Sequence, residues 1–394
     1  MMKFASLTTV AAAALLAAGS GAAVADQSGE VRIGMITTLS GPGSGLGIDA
    51  RDGFQLGIEH LGGTLGGLEP VIFEGDDQQE PSVAVELAGR MVERDEVDIV
   101  TGVIWSNLAL AVMPTLARSE TFFVSVNAGP SELAGAQCNP FFFNVAWQND
   151  NNHEAMGQHV RDEGYERVYI MAPNYPAGRD ALAGFKRFYG DDVVDEVYTP
   201  LGQLDYAAEL SQLQSEDPDA VYIFYPGGMG INFIRQYEQA GLKETTPLFG
   251  PAFSFSQDLL PAVGEAAMGV RNTSQWSPDL DNEVNARFVE GFEERYDRLP
   301  SLYASQGYDA ALLIDSALNI TGGDVSDKDA FREALRQADF DSVRGDFEFN
   351  NNHYPIQDYY LREVVMDDEG RITNRLVSTI FEDHADAYHQ DCAM

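Results

Sequence analysis

Basic residues are scarce in this 394-residue chain: 24 Lys and Arg stand against 62 Asp and Glu, for a formal net charge of −38. An anionic surface of that size repels nucleic acid and anionic lipid, which excludes both as partners. The acids are spread along the chain rather than gathered in a tail, so no acidic interaction segment is indicated. Cysteine is nearly absent, with Cys138 and Cys392 alone. Long apolar runs are missing as well. The run near the N-terminus is too short to cross a bilayer comfortably, and no later stretch approaches the roughly 20 apolar residues of a span. Disorder is excluded by the 44% hydrophobic and 10% aromatic content, which lies within the globular range.

Motifs for catalysis and for metals are also wanting. A dinucleotide-binding G-x-G-x-x-G read from Gly41 meets Leu46, and from Gly43 it meets Ile48. From Gly45 it yields only a looser variant ending on Ala50. Ser44 lacks the glycine at position 42 that a nucleophile elbow needs, and Ser106 has no flanking glycines. His153 and His159, and His384 and His389, are not spaced to share a helix face, and Cys392 follows the second pair on a tail expected to fray. These read as solvated surface histidines, with no metal site and no cofactor. An enzyme is not expected.

What is present begins with a leader. Lys3 gives a short positive region, Leu7 to Ala18 is apolar, and Ala23-Val24-Ala25 fits a small-x-small cleavage site. Residues 1–25 are therefore expected to be a signal peptide, cleaved after Ala25, with the product exported. No cysteine near that site can carry a lipid. In an oxidising compartment a Cys138–Cys392 disulfide is the default, with two separate buried thiols as the alternative.

The remaining chain, at roughly 150 residues per domain, makes two domains. Apolar runs such as Val31–Thr37, Val97–Val103 and Phe122–Val126 alternate with amphipathic stretches such as Val83-Leu87-Met91. Nearly all-apolar strands separated by helices imply a parallel sheet covered on both faces. The pattern restarts at Arg167–Ala172 and Ala220–Tyr225, and Tyr359–Val365 with Arg371–Ile380 reads as a terminal hairpin. The expected fold is α/β, two doubly wound parallel-sheet lobes joined by a three-segment hinge. Such lobes place their ligand loops at the carboxyl ends of the strands, across a cleft.

The loops after strands carry the candidate site. Trp105-Ser106-Asn107 and Asn127-Ala128-Gly129-Pro130-Ser131 offer N–H groups and hydroxyls suited to a small anion. The Gly-rich turn Ser40–Gly47 reads as a flexible turn whose N–H groups line the cleft. From the second half, Tyr175, Tyr225, Ala252 and Phe253 occupy equivalent places, their aromatics forming a flat apolar wall. Ordinary loop packing is the alternative for each.

These residues, with Ile33-Gly34, Ser40-Gly41-Pro42, Gly178, Arg235-Gln236 and Gly250-Pro251, resemble the leucine/isoleucine/valine-binding family of periplasmic receptors. The resemblance runs over essentially all of the exported chain. It implies a type I binding-protein fold, with 26–148 and 278–352 as the first lobe and 149–277 and 353–394 as the second. The chain would cross between lobes near 147–151, 275–279 and 350–355. It further implies the extracytoplasmic, periplasmic component of an ABC importer, a monomer that partners an inner-membrane ABC permease. Ser106 and Asn127 to Gly129 would grip a ligand carboxylate, and Tyr175 would close over it. In amino-acid-binding members the residue after Gly-Pro carries a carboxylate for the α-ammonium, and here it is Ala252. A buried ammonium without its anion costs several kcal/mol. With Trp105, Phe253 and Phe255, this points to the subset that resembles receptors for aromatic carboxylates such as benzoate or cinnamate derivatives. Alternatives within the same fold are a branched-chain amino acid or amide ligand, and a sensor for a membrane receptor.

Overall fold

The protein is described from a computed structural model covering Met1 and residues 29–394. Residues 2–28, which hold the expected leader's apolar run and its cleavage site, lie outside the described residues. The first lobe runs β1 (Glu30–Thr37), α1 (Ser44–His60), β2 (Glu69–Asp76), α2 (Pro81–Glu93), β3 (Ile99–Thr101), α3 (Ser106–Arg118), β4 (Phe122–Ser125), α4 (Ser131–Ala134) and β5 (Phe142–Asn144). Its five strands are all parallel, in the order β2-β1-β3-β4-β5. Strands β3, β4 and β5 are buried at every position, which is why they read as continuous apolar runs without alternation.

The second lobe repeats the pattern through α5 (Asn151–Asp162), β6 (Val168–Pro173), α6 (Pro176–Tyr189), β7 (Asp195–Thr199), α7 (Ala207–Glu216), β8 (Ala220–Ile223), α8 (Gly228–Gln239), β9 (Leu248–Pro251), α9 (Leu260–Val263) and β10 (Arg271–Ser274). The chain then returns to the first lobe with α10 (Glu283–Tyr296), α11 (Leu302–Thr321) and α12 (Lys328–Gln337). It ends with β11 (Glu348–Phe349) and the antiparallel hairpin β12 (Pro355–Met366) and β13 (Ile372–His384) on the second sheet. From β7 to β10 that sheet is ordered β7-β6-β8-β9-β10, the same reversal as in the first, with β12 added antiparallel to β10. In each sheet the loops diverge where the order reverses, between β1 and β3 and between β6 and β8. A ligand crevice belongs at such a switch point.

Close backbone approach seats α11 on α1. A Cβ on Gly53 would stand 1.9 Å from the Ala304 carbonyl oxygen, and one on Gly307 would stand 2.0 Å from that of Ala50. Only hydrogen fits at these positions. This packing carries the first turn of α11, with Tyr303, to the mouth of the crevice.

A buried guanidinium holds the crossovers. Arg344 is 7% exposed and donates to Asp309 Oδ2 at 2.9 Å, to the carbonyls of Val145 at 2.6 Å and Ala146 at 3.1 Å, and to Gln357. It thereby ties α11 to the outgoing chain after β5 and to the returning strand β12. The C-terminal tail does not fray, contrary to expectation. Cys138 and Cys392 are joined, Tyr388 donates to Asp150 Oδ2 at 2.8 Å, and Asn352 donates to Asp386 Oδ2 at 3.0 Å. Breaking a buried ion pair by removing one partner costs about 3–5 kcal/mol, against about 1 or less for an exposed pair. Arg344→Met should therefore lose about 3–5 kcal/mol in urea denaturation, while Arg94→Met, at the 72% exposed partner of Asp95, should lose under about 1. Equal losses would contradict the assignment of Arg344 as the tie.

Candidate functional site

The cavity at the two switch points is lined by Leu46, Ile104, Trp105, Ser106, Asn127, Trp147, Asn149, His153, Tyr175, Ala177, Phe224, Pro226, Phe253 and Tyr303. The cleft is closed: Gly228 N–H donates across it to the Pro42 carbonyl at 3.1 Å, and the Trp105 and Tyr175 rings face each other at 6.1 Å.

Trp105 precedes α3, and its indole is held rigidly. Nε1–H donates to Thr38 Oγ1 at 2.9 Å, and Thr38 donates to Asp77 Oδ1 at 2.7 Å. A Cβ on Gly43 would stand 2.6 Å from the indole. The Gly-rich turn therefore makes room for Trp105, and from this stretch only Leu46 reaches the cavity wall. That corrects the expectation that its N–H groups line the cleft.

The polar end is built around Asn149. Its Oδ1 accepts from Gly129 N–H at 3.1 Å, and its Nδ2 donates to Asp180 Oδ2 at 2.8 Å and to Ser106 Oγ at 3.1 Å. Ser106 accepting from Asn149 leaves the hydroxyl proton for the cavity; the reverse contact is longer, at 3.4 Å. Ser106 also opens α3, whose own backbone bonds begin with Leu108 N–H to the Trp105 carbonyl, so the N–H groups of its first residues have no backbone partner among the described residues. Asn127 Nδ2 is fixed on the Ile104 carbonyl. Burial raises the Tyr175 and Tyr303 hydroxyls far above their usual range, so both stay neutral.

Of the expected site residues, Trp105, Ser106, Asn127, Tyr175 and Phe253 come together at the cavity wall. The others do not. Asn107 follows Ser106 into α3 without reaching the wall, and the Ala128 carbonyl is spent on Ser125 and Asn144. Gly129 serves Asn149, and a Cβ there would meet the Trp147 carbonyl at 2.2 Å. Ser131 gives both its N–H, at 3.1 Å, and its hydroxyl, at 2.7 Å, to Asp180. Tyr225 points into the second lobe, stacked on Phe233 at 5.2 Å, because side chains alternate along the extended chain and Phe224 and Pro226 take the cleft side. Ala252 is buried and does not line the cavity, whereas its neighbour Phe253 does.

His153 was not foreseen here, and the expectation of a solvated histidine is corrected. It is 1% exposed, on the first turn of α5, which starts at the crossover and so opens onto the cleft. Its Nδ1 is hydrogen-bonded to Tyr222 Oη, and its ring packs against Phe224 at 5.0 Å and Phe253 at 5.8 Å. Desolvation pushes its pKa from 6.5 to about 3, so it is neutral. The signal for His153 and Asn149 was the unbroken polar run Gln148–His153 at the first crossover, every member of which is buried.

A family model for periplasmic binding proteins matches residues 30–371. The chain is 28% identical over 396 residues to the Leu/Ile/Val-binding protein homolog 6 of Brucella melitensis, covering 98% of each. An R. palustris ABC-transporter solute-binding protein solved in complex with benzoate superposes with a TM-score of 0.87 at 29% identity, over 93% of this chain and 100% of that one. A second, from Rhodopseudomonas palustris BisB5 in complex with 3,4-dihydroxybenzoic acid, gives 0.84 at 26%, over 91% and 99%.

The neutral state of His153 has a measurable consequence. The unfolded chain's imidazole takes up a proton below pH 6.5 and the buried one only near pH 3, so stability drains away as pH falls through that window. Between pH 7 and pH 5 this group alone accounts for about 2 kcal/mol. In urea denaturation, His153→Gln should shrink the difference in stability between those two pH values by about that amount. An unchanged difference would mean that the ring protonates freely in the fold.

Proposed function

From this chain's membership of the periplasmic binding protein family, in which it is an ABC-transporter solute-binding protein and not an enzyme, we propose that its solute is a small aromatic carboxylate. The observation that carries this reading is the composition of the cavity wall. Among the described residues that line it there is no Asp, Glu, Lys or Arg. A carboxylate can be held there by neutral donors, namely the Ser106 hydroxyl, the first N–H groups of α3 and the buried Tyr hydroxyls. An α-amino acid would also bury an ammonium, and no anion lines the cavity to meet it. Ala252 is not among the residues that line the cavity, so its part in this argument passes to the wall as a whole. Trp105, Trp147, Phe224 and Phe253 supply flat apolar faces for a ring. The R. palustris proteins solved with benzoate and 3,4-dihydroxybenzoic acid support the same class. The Brucella relative's name favours branched-chain amino acids, which the uncharged wall disfavours.

In this reading the protein works in the periplasm as a monomer. The first lobe, 26–148 with 278–352, receives the ligand, and the second, 149–277 with 353–394, rotates over it about the three crossovers. The closed form is the one an inner-membrane ABC permease engages.

A thermal-shift screen of the exported chain tests the reading with one panel of aromatic and aliphatic carboxylates and another of amino acids. A ligand at about 100 times its Kd adds roughly 2.7 kcal/mol, a visible rise in Tm. Rises are expected with benzoates and none with leucine or valine; the opposite pattern would overturn the assignment. Trp105→Ala should weaken the best aromatic acid by about 10- to 100-fold, and unchanged affinity would remove Trp105 from the site.

A further inference from the structure

His153 is the polar group on the aromatic side of the cavity, and the aromatic-acid reading alone gives it no task. Its Nδ1 is taken by Tyr222 Oη. Its Nε2 has no hydrogen-bond partner among the described residues, yet it is not sealed into the protein as His159 Nε2 is; the space beside it is the cavity that His153 lines. Tyr222 is fully buried and stacked on Phe185 at 4.2 Å, and its hydroxyl has no other bond among the described residues. A buried hydroxyl proton without an acceptor costs about 1–3 kcal/mol, so that proton goes to Nδ1. The neutral ring's own proton is then on Nε2, aimed at the cavity. The rings packed against His153 are Phe224 at 5.0 Å and Phe253 at 5.8 Å, both of the apolar wall, whereas Ser106 is bonded to Asn149.

We propose that His153 is a specificity-determining residue whose Nε2–H donates to an oxygen on the ligand's ring, a hydroxyl or ether oxygen remote from the carboxylate. The ligand class narrows from aromatic acids to hydroxy- or methoxy-substituted ones. This inference rests on the aromatic-carboxylate reading above. A site built around a buried donor discriminates strongly against an analogue that leaves that donor unpaired.

The test is calorimetric titration of the exported chain with 4-hydroxybenzoate and the near-isosteric 4-methylbenzoate, and with their 3-substituted counterparts. The parent should prefer the hydroxy acid of at least one pair by about tenfold or more, and His153→Phe should bring that ratio near one. A parent ratio near one in both pairs, or a ratio unchanged in His153→Phe, would overturn the proposal while leaving the aromatic-acid reading intact. If no aromatic carboxylate binds, that reading falls and this one with it. Nitrogen-15 spectra of the histidines in the unmutated protein give a second readout that needs no variant. They should show His153 as the Nε2–H form, with Nε2 shifting on addition of the preferred hydroxy acid and not of its methyl analogue. An Nδ1–H form, or identical shifts with both, would overturn it.

Discussion

Asn149 sits where the chain leaves the first sheet, and its amide is spoken for on every side: Gly129 and Ser106 of the first lobe, Asp180 of the second. Asp180 in turn accepts the N–H and the hydroxyl of Ser131, so a single buried carboxylate from α6 organises both ligand loops of the opposite lobe. Burial pushes the Asp180 carboxyl up and these donors pull it back down. The rest of the polar end follows from this arrangement. With the Asn149 amide oriented by its partners, Ser106 accepts from it and keeps its proton for the cavity. Ser106 itself, at the head of α3, lines the same space.

The aromatic end depends on a complementary constraint, the exclusion of charge. A protein carrying a formal charge of −38 has acid to spare, yet among the described residues none of it lines this cavity. What lines it instead is rings and neutral polar groups, which leaves one ionic demand that can be met, that of a carboxylate at the α3 terminus. His153 fits the same rule. Burial keeps it neutral, so it contributes a directional donor without contributing a charge.

Much of this was legible in the sequence because parallel strands announce themselves as apolar runs and the loops that follow them are where ligands bind. Trp105, Ser106, Asn127, Tyr175 and Phe253 could be picked on that ground, and the doubly wound architecture with its terminal hairpin could be read from the same runs. For the two cysteines the sequence leaves a disulfide and separate thiols both open, and the structure joins Cys138 to Cys392. Facing was harder. At Tyr225 and Ala252 the sequence points to the right loop but a neighbouring residue lines the cleft, since a loop's register relative to the cavity has no signature in composition. Helix α11 is buried over most of its surface, so it shows no amphipathic stripe, and nothing in the sequence marks Tyr303 at its start as part of the wall. His153 and Asn149 belong to a polar run that resembles a solvated helix start until the crossover around it is seen to be buried on all sides.

The most direct measurement is a comparison of phenylacetate with phenylglycine by calorimetric titration, since the two differ only by an α-ammonium group. An uncharged wall should favour the deaminated acid by a hundredfold or more, because about 3 kcal/mol or more is lost when an ammonium is buried without an anion. Equal affinity, or tighter binding of the amino acid, would contradict the account by showing that an anion reaches the bound ammonium after all.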